Sequence, residues 1–449
     1  MVTFIPRASR PLWLLAVLDT AVLAAVAWLA HCVRFQEAVR TAKWRELVGH
    51  PGLIAVAVVT LLGLAVSAEL YQPLALRRPR EIVLRVGAVG TVWGAAIALA
   101  TYTVPTWRFG RGLLLITTTA WIAAAMLIRL AGSRRRNHRQ RFPALVVGGP
   151  QPVAGVCARL AAHPLSPWEP IDGSEMPAGA VADAIHQRRA HVVILAGGDE
   201  EAAAASADEL AALQFAGVPV VVASEVWAWL DGRLPVAELS PAAFLHQPGF
   251  GAVHWELFNR LTRVFDVVVG GVLFVVTLPL HLLAAAAVLL LNGRPVYYRQ
   301  VRLGQFGRPF EILKLRTMHP DAERDGPAFA ARKDPRVTRL GRVLRRVRLD
   351  ELPQLLNVLR GDMALVGPRP ERPEFTAELS RSIPYYAFRL AVPPGLTGWA
   401  QVHVRYARTV DEHRRKLEYD LYFIRERSFG LYLLTLLRTV SVALVGAPR

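Results

Sequence analysis

The amino-acid sequence predicts a membrane protein in three parts: an α-helical N-terminal bundle of four spans, a small α/β parallel-sheet domain and a basic C-terminal domain. At 449 residues the chain is long enough for two or three domains. Hydrophobic residues make up 53% and the mean hydropathy is +0.30, yet Lys and Arg outnumber Asp and Glu by 18. Such hydrophobicity excludes a disordered chain and disfavours a purely soluble enzyme. The combination is typical of apolar spans whose basic flanks face an anionic surface.

Four apolar stretches approach the roughly 20 residues that cross a bilayer. They are residues 11–30, 51–69, 82–104 and 112–130. We therefore predict a four-helix transmembrane domain over residues 1–133. The alternative is a soluble helical core, which the number and length of the stretches disfavour.

Basic residues flank these stretches unevenly, and their distribution predicts the orientation of the bundle. They precede the first span, separate the second from the third and follow the fourth, which places both ends of the bundle in the cytoplasm. The residues are Arg7, Arg10, Arg77, Arg78, Arg80, Arg134, Arg135, Arg136, Arg139 and Arg141. The two cysteines, Cys32 and Cys157, are too far apart in the chain for a disulfide framework or zinc site, which fits a reducing compartment.

Residues 142–248 change in composition and alternate apolar strands with helices. Strands near residues 144–147, 191–195 and 218–223, with helices near 156–162 and 200–214, predict a small parallel sheet. The dinucleotide-binding pattern is broken, because Gly148 and Gly149 are followed by Pro150 and Pro152. The sequence contains no Tyr-x-x-x-Lys pair. We predict a degenerate Rossmann-like domain with a structural or regulatory role.

Residues 267–291 form a fifth apolar stretch, interrupted by Pro279. Its flanks are basic on both sides, and proline removes a backbone donor and favours a kink. We predict a re-entrant membrane helix over residues 264–291, broken at Pro279, that returns to the same face. An ordinary membrane span is the alternative, by length alone.

Most of the positive charge lies in residues 256–449, which contain 31 Lys and Arg and 18 Asp and Glu, a net charge of +13. A basic half-chain often signals nucleic acid, but the arginines are scattered among apolar and Pro-Gly segments without a nucleic-acid fold signature. We expect phosphate-bearing small substrates and anionic lipid head groups as partners, and no nucleic acid.

The candidate chemical site is the segment around Asp350 and Glu351. Leu352, Leu355, Leu356 and Leu359 recur at helical spacing, so the two acidic residues lie at or just before a helix N-terminus. Two interpretations stay open. Acidic residues there commonly cap the helix. Alternatively, a carboxylate that stays ionised among arginines can attack phosphorus while arginines and a divalent cation neutralise the phosphate oxygens. The nearby arginines are Arg345, Arg346, Arg348 and Arg369.

Residues 256–449 carry several specific motifs in order, and together they resemble the catalytic domain of bacterial monotopic phosphoglycosyltransferases, the bacterial sugar transferase family. The motifs are NRLTRVFD (259–266), PVYYRQVRLG (295–304), FEILKLRTM (310–318), LDELPQL (349–355), GDMALVGPRP (361–370), PGLTGWAQV (394–402) and YDLYFI (419–424). The four spans and the degenerate α/β domain resemble the N-terminal half of the long forms of this family.

The resemblance implies a mostly α-helical monotopic catalytic domain with a re-entrant membrane helix, and an activity. A nucleoside-diphosphate sugar, expected to be a UDP-hexose, gives its sugar 1-phosphate to polyprenyl (undecaprenyl) phosphate and releases UMP. This step initiates the synthesis of an exopolysaccharide, capsule or O-antigen type of glycan. The protein is then expected in the bacterial inner membrane, with its catalytic domain on the cytoplasmic face, and homo-oligomerisation is left open.

The resemblance also assigns residues. Asp350 is the expected nucleophile that forms an aspartyl-phosphosugar intermediate, and Glu351 assists it, both helping to hold Mg²⁺. Expected phosphate and nucleotide contacts are Lys314, Arg316, Arg348, Arg369 and Arg405. Two departures from the family pattern put contacts in doubt. Leu278 stands where Ser often precedes the proline at the helix break, and His403-Val404-Arg405 replaces the commoner Asn-Gly-Arg.

Two rival functions remain in other classes. A membrane-anchored NAD-dependent nucleotide-sugar dehydratase, built on the α/β domain, is disfavoured by the broken glycine pattern and the missing Tyr-x-x-x-Lys. A non-enzymatic assembly scaffold is the second rival, and metal-dependent UMP release by the purified protein would eliminate it.

Overall fold

The computed structural model describes residues 12–445 apart from 69, 72–78, 105–106, 108–109, 138–140, 165, 178, 197–206, 240, 242–243, 245–249, 251–254, 323, 325–333, 405–406 and 408. The chain divides into two compact units, Met1–Val226 and Trp227–Arg449. The division lies inside the predicted α/β domain of residues 142–248. Its physical reason is that Ala228, Leu234 and Val236 are buried in a core with Leu417 and Leu421 of the second unit.

The first unit begins with five helices. They are α1 (Leu12–Arg34), α2 (Glu37–Val48), α3 (Pro51–Ser67), α4 (Pro79–Thr103) and α5 (Arg111–Asn137). Within the described residues, three of the predicted spans, now Leu14–Arg34, Ile82–Thr103 and Arg111–Ser133, are long and apolar enough to cross a membrane. The predicted span at 51–69 reaches that length only when Pro51–Val66 is combined with Glu37–Val48, at a bend of 74°. The sequence does not predict helix α2, because its mixture of positive and negative residues is typical of a loop.

The helical bundle is held by an apolar core and one buried ion pair. Leu61, Ile82 and Trp121 are fully buried in this core. The Arg129 guanidinium on α5 donates to both oxygens of the Asp19 carboxylate on α1, at 2.7 and 3.0 Å. Isolated charges are costly in an apolar environment, so this pairing allows both residues to remain inside the bundle.

The α/β part of the first unit contains one four-stranded parallel sheet, as the alternating pattern predicts. Its elements are β1 (Phe142–Gly148), α6 (Pro150–Ala162), β2 (Trp168–Asp172), α7 (Val181–Arg188), β3 (Val192–Ala196), α8 (Ala207–Phe215) and β4 (Val220–Val222). The strand order is β2-β1-β3-β4. Helix α6 begins at Pro150, so prolines at 150 and 152 occupy the turn where a dinucleotide-binding helix needs free N–H donors. Strand β2 is not predicted, because its sequence WEPID lacks a regular apolar pattern.

The second unit is built from helices and two small sheets. After α9 (Ala223–Asp231) come α10 (Trp255–Asn292), β5 (Tyr297–Leu303), β6 (Pro309–Leu315), α11 (Arg339–Arg346), α12 (Gln354–Arg360), β7 (Ala364–Val366), α13 (Pro373–Ser382), β8 (Gly395–Thr397), α14 (Trp399–His403), α15 (Val410–Arg425) and α16 (Phe429–Val445). Strands β5 and β6 form an antiparallel hairpin, whereas β7 and β8 pair in parallel. This arrangement puts β6, α12 and the loop after β7 beside the segment that contains Asp350.

Helix α10 contains the predicted re-entrant segment within 38 residues, and Glu256–Asn292 is the fourth helix able to cross a membrane by length and composition. The helix continues through Pro279 as one element, although the sequence predicts a break there. Its buried residues lie on both sides of residues 271–280, which contain none; they are Thr262, Asp266, Gly270, His281, Ala284 and Val288. The segments on either side of residues 271–280 therefore pack on the rest of the second unit, whereas residues 271–280 are half-buried or exposed.

Candidate active site

Asp350 and Glu351 lie in a single 3₁₀ turn, Leu349–Glu351, directly before α12. Neither residue caps that helix, because its N-cap is Pro353 and no side-chain cap bond forms. The capping interpretation is therefore wrong for this segment. The preceding residue, Arg348, has φ 57°, a left-handed conformation that a non-glycine residue rarely adopts. Such strained residues cluster at functional sites.

The Glu351 carboxylate takes the arginines that the sequence suggested for Asp350. Arg369 donates to Glu351 Oε1 at 2.9 Å, and Arg348 donates to Glu351 Oε2 at 3.2 Å. Burial acts to raise the pKa of Glu351, but Arg369, Lys314 and Arg348 outweigh it and lower the pKa to about 2. Glu351 is thus ionised, and its carboxylate accepts hydrogen bonds from two guanidinium groups.

Asp350 is in a different electrostatic state from its neighbour. It is buried, and burial followed by the adjacent negative charge of Glu351 raises its pKa, against the opposing effects of Lys314 and Arg345. Among the described residues, no side chain donates a hydrogen bond to the Asp350 carboxylate. In the described part of the chain, the arginines that the sequence suggested for Asp350 form no hydrogen bond to its carboxylate, although Arg345 acts to lower its pKa. A desolvated carboxylate without such partners keeps its basicity, which suits a nucleophile.

Lys314 approaches this pair of carboxylates from strand β6. Burial first, and then Arg369, lower its pKa to about 8, while Glu351 and Asp350 act in the opposite direction. Asn357 on α12 keeps the strand in place: its Oδ1 accepts from the N–H of Leu313 at 3.1 Å, and its Nδ2 donates to the Glu311 carbonyl at 2.8 Å. The amide of Asn357 thus ties the strand of Lys314 to the helix that follows Asp350.

Arg369 lies in the loop after β7. The start of this loop packs so closely against the start of β8 that both Gly367 and Gly395 must be glycine. A Cβ on Gly395 would lie 2.0 Å from the backbone nitrogen of Gly367, so the two chains approach closely only because both positions are glycine. The Arg389 guanidinium then donates to the Arg369 carbonyl at 3.1 Å. This backbone contact fixes the point from which Arg369 reaches Glu351.

A buried charge network supports Arg369, and the sequence does not predict it. Arg389 donates to the Asp420 carboxylate at 2.8 and 3.1 Å and to the Tyr386 hydroxyl at 2.9 Å. Glu371 lies 3.8 Å from Arg389 and 3.7 Å from Arg302. Asp420 belongs to the YDLYFI motif, which is the one sequence signal for this network.

Three other predicted site residues have different outcomes. Arg316 stays a prediction as a phosphate contact, and in the structure its guanidinium donates to the carbonyls of Asn292, Gly293 and Arg294 at the C-terminal end of α10, since these carbonyls lack helical partners. Arg405 lies outside the described residues. At the predicted helix break beside Pro279, the Thr277 hydroxyl donates to the Leu273 carbonyl at 2.7 Å, within its own helix.

The NRLTRVFD motif holds the end of α10 against the site. Arg263 donates to the carbonyls of Val358 and Leu359 at the end of α12, the second at 2.7 Å. The Tyr432 hydroxyl donates to Asp266 and accepts from the N–H of Val366 at 3.0 Å. The motif thus fastens the apolar helix to both the helix after Asp350 and the strand before Arg369.

Metal binding is limited by the small number of acidic ligands. Within the described ranges there is no cluster of three or more His, Cys, Asp or Glu residues that could hold a metal ion. Asp350 and Glu351 supply two carboxylates; that of Glu351 accepts from two arginines, and that of Asp350 has no cationic hydrogen-bond partner among the residues that the structure describes. This donor set fits Mg²⁺, which binds through one or two carboxylates and takes its other ligands from water and substrate phosphates.

Comparison with known proteins identifies the family of the chain. The model of the family described as bacterial sugar transferase matches residues 257–446. The UDP-glucose:undecaprenyl-phosphate glucose-1-phosphate transferase of Caulobacter vibrioides is 50% identical over 182 residues, which cover 40% of this chain and 67% of the relative. The chain belongs to the bacterial sugar transferase family.

Two further relatives match over smaller shares of their own length than the Caulobacter protein does. The UDP-N-acetylgalactosamine-undecaprenyl-phosphate N-acetylgalactosaminephosphotransferase of Aeromonas hydrophila is 37% identical over 238 residues, 53% of this chain and 55% of the relative. The UDP-glucose:undecaprenyl-phosphate glucose-1-phosphate transferase of Escherichia coli is 39% identical over 38% of this chain and 37% of the relative. The chain thus spans about half or less of these two relatives.

Proposed function

We propose that the protein transfers a sugar 1-phosphate from a UDP-sugar to undecaprenyl phosphate and releases UMP. The observation that carries the proposal is the contrast within one turn: Glu351 is paired with arginines, whereas Asp350 is buried beside it and receives no hydrogen bond from a cationic side chain in the described part of the chain. Such a pair separates a nucleophile from a charge-holding residue. The activities for which the relatives from Caulobacter and Aeromonas are named support the substrate class.

In the proposed first step, an Asp350 carboxylate oxygen attacks the phosphorus that bears the sugar. The bond from that phosphorus to the bridging oxygen breaks, UMP leaves with the electron pair, and an aspartyl-phosphosugar remains. In the second step, a phosphate oxygen of undecaprenyl phosphate attacks the same phosphorus and releases the Asp350 carboxylate. Arg369, Arg348 and Lys314 neutralise the phosphate oxygens, where positive groups act most strongly on the developing charge.

Asp350 and Glu351 are the residues that would hold Mg²⁺ beside the diphosphate. When bound, the ion would supply charge neutralisation at the phosphate oxygens and make UMP a better leaving group. Removal of Mg²⁺ with a chelator is expected to stop UMP release, and its return to restore it.

The substitution that tests the proposal is Asp350→Asn, assayed by UMP release from UDP-sugars in detergent-solubilised full-length protein. We expect no turnover, because an amide is not a nucleophile at phosphorus. Asp411→Asn is the matched control, since Asp411 is exposed and belongs to a surface ion pair. Retained turnover in Asp350→Asn would overturn the mechanism. A panel of UDP-hexoses with undecaprenyl phosphate identifies the sugar, and we expect UDP-glucose or UDP-N-acetylgalactosamine to be accepted.

We also propose that α10 enters the membrane and returns to the cytoplasmic face. The support is the packing of the segments on both sides of residues 271–280 on the rest of the second unit, while residues 271–280 contain no fully buried residue. Single cysteines at Arg260 and Arg299, in a chain with Cys32 and Cys157 replaced by serine, test this with a membrane-impermeant thiol reagent. Labelling of both from the cytoplasmic side is expected; labelling from opposite sides would make α10 an ordinary span.

A further inference from the structure

A cavity of about 520 Å³ opens where the C-terminal end of α10 meets the N-terminal end of α11. Asp350, Glu351, Lys314 and Arg369 do not line it. Its walls include Leu291, Asn292, Arg316, Thr338, Arg339 and Arg342. The cavity is therefore a separate feature of the second unit.

The charged side chains among the described residues that line this cavity are all arginines. Its lining residues contain no Asp or Glu. Arg316 is only 5% exposed, and its Nε has no hydrogen-bond partner among the described residues, while its other nitrogens hold the end of α10. Arg339 and Arg342 are exposed at helical spacing i, i+3, and no ion pair reaches either in the described part of the chain. The positive end of the α11 dipole adds to this field.

One edge of the cavity is apolar and faces outward. Leu291 lines the cavity and is 72% exposed, and its neighbour Leu290 is 81% exposed. These leucines end the helix that we place in the membrane. A free anion uses the arginines but gains nothing from exposed leucines, whereas a phospholipid presents a phosphate and hydrocarbon together.

We propose that this cavity binds the phosphate head group of an anionic phospholipid, with the acyl chains lying along Leu290 and Leu291. The inference rests on membrane insertion of α10, not on the transferase chemistry. A bound lipid would anchor the C-terminal end of α10 at the membrane surface. It would thereby fix the height of the catalytic domain above the bilayer.

The test is native mass spectrometry of the full-length protein in detergent, titrated with phosphatidylglycerol or phosphatidylcholine. We compare the wild type with Arg339→Gln/Arg342→Gln and with Arg381→Gln/Arg415→Gln. The control removes two positive charges from exposed arginines on α13 and α15, so both variants have the same net charge. We expect the first pair to weaken the tightest phosphatidylglycerol binding at least tenfold, and the control and phosphatidylcholine binding to change less than twofold.

Each other outcome overturns the proposal. Equal losses in the two variants would mean that net charge alone attracts the lipid. Competition by millimolar inorganic phosphate as strong as that by phosphatidylglycerol would assign the cavity to a free anion. If the double variant unfolds, Arg339→Gln and Arg342→Gln are measured singly, and folded single variants that lose no more phosphatidylglycerol binding than the control would count against a phosphate site. Failure of UMP release in any of these proteins would not affect the result.

Discussion

The guanidinium of Arg369 donates to the carboxylate of Glu351 across 2.9 Å, and this contact divides two adjacent carboxylates into different roles. Arg348 takes the second oxygen of Glu351. Asp350 is left buried, with its pKa raised by burial and by Glu351. In the proposed reaction, substrate phosphate would compete with Glu351 for these guanidinium groups, so Glu351 keeps them preorganised before substrate binds.

Glu351→Gln is expected to lower kcat about 100-fold, or ~2.7 kcal/mol, because Arg369 and Arg348 lose the anion that orients them. Thermal unfolding in detergent should show a folded protein. The control is Glu374→Gln, which removes an exposed carboxylate 3.7 Å from Arg372. A Glu351→Gln enzyme with wild-type kcat would mean that the two arginines are oriented without Glu351.

The pH dependence of kcat/KM is expected to be bell-shaped. Asp350 attacks only as the carboxylate, so activity falls as pH drops through its raised pKa. Lys314 neutralises phosphate only when protonated, and its pKa is lowered to about 8, so activity falls again as pH rises through about 8. In Lys314→Arg the alkaline limb near pH 8 should disappear while the acid limb stays, because a guanidinium remains charged throughout this range. An unchanged alkaline limb in that variant would assign it to another group.

Arg316→Met separates a structural from a substrate-binding role. The Arg316 guanidinium holds three carbonyls at the end of α10, so its loss is expected to lower the free energy of unfolding by about 2–4 kcal/mol. The KM for the UDP-sugar should change less than about twofold. Arg369→Met should do the reverse, raising KM or lowering kcat at a smaller cost in stability. A large increase in the KM of Arg316→Met for the UDP-sugar would mean that Arg316 contacts the substrate phosphates.

Local features of the site are predictable from sequence, whereas its charge pairing is not. The leucine spacing after Asp350 predicts helix α12, because helical periodicity is a local property. The partner of Glu351 is 18 residues away, beyond a helix and a strand, and several arginines compete for it in the sequence. The close approach of Gly367 and Gly395, which the sequence does not reveal, places Arg369 beside Glu351. Arg316 and Lys314 belong to one motif, and the sequence does not distinguish their roles. In the structure Lys314 faces the carboxylates, whereas Arg316 binds the carbonyls at the end of α10.

The Arg389–Asp420 pair gives the clearest test of the support beneath Arg369. Both side chains are almost fully buried, so Asp420→Ala leaves an unpaired guanidinium and is expected to cost about 3–5 kcal/mol of unfolding free energy. Asp411→Ala removes a partner from an exposed pair with Arg414 and should cost less than about 1 kcal/mol. Because Arg389 also holds the Arg369 carbonyl, the folded fraction of Asp420→Ala should show a kcat lowered about tenfold, or ~1.4 kcal/mol. Chemical denaturation and UMP release measured on the same preparations check both expectations. A destabilised variant with wild-type kcat would mean that the network supports the fold without positioning Arg369.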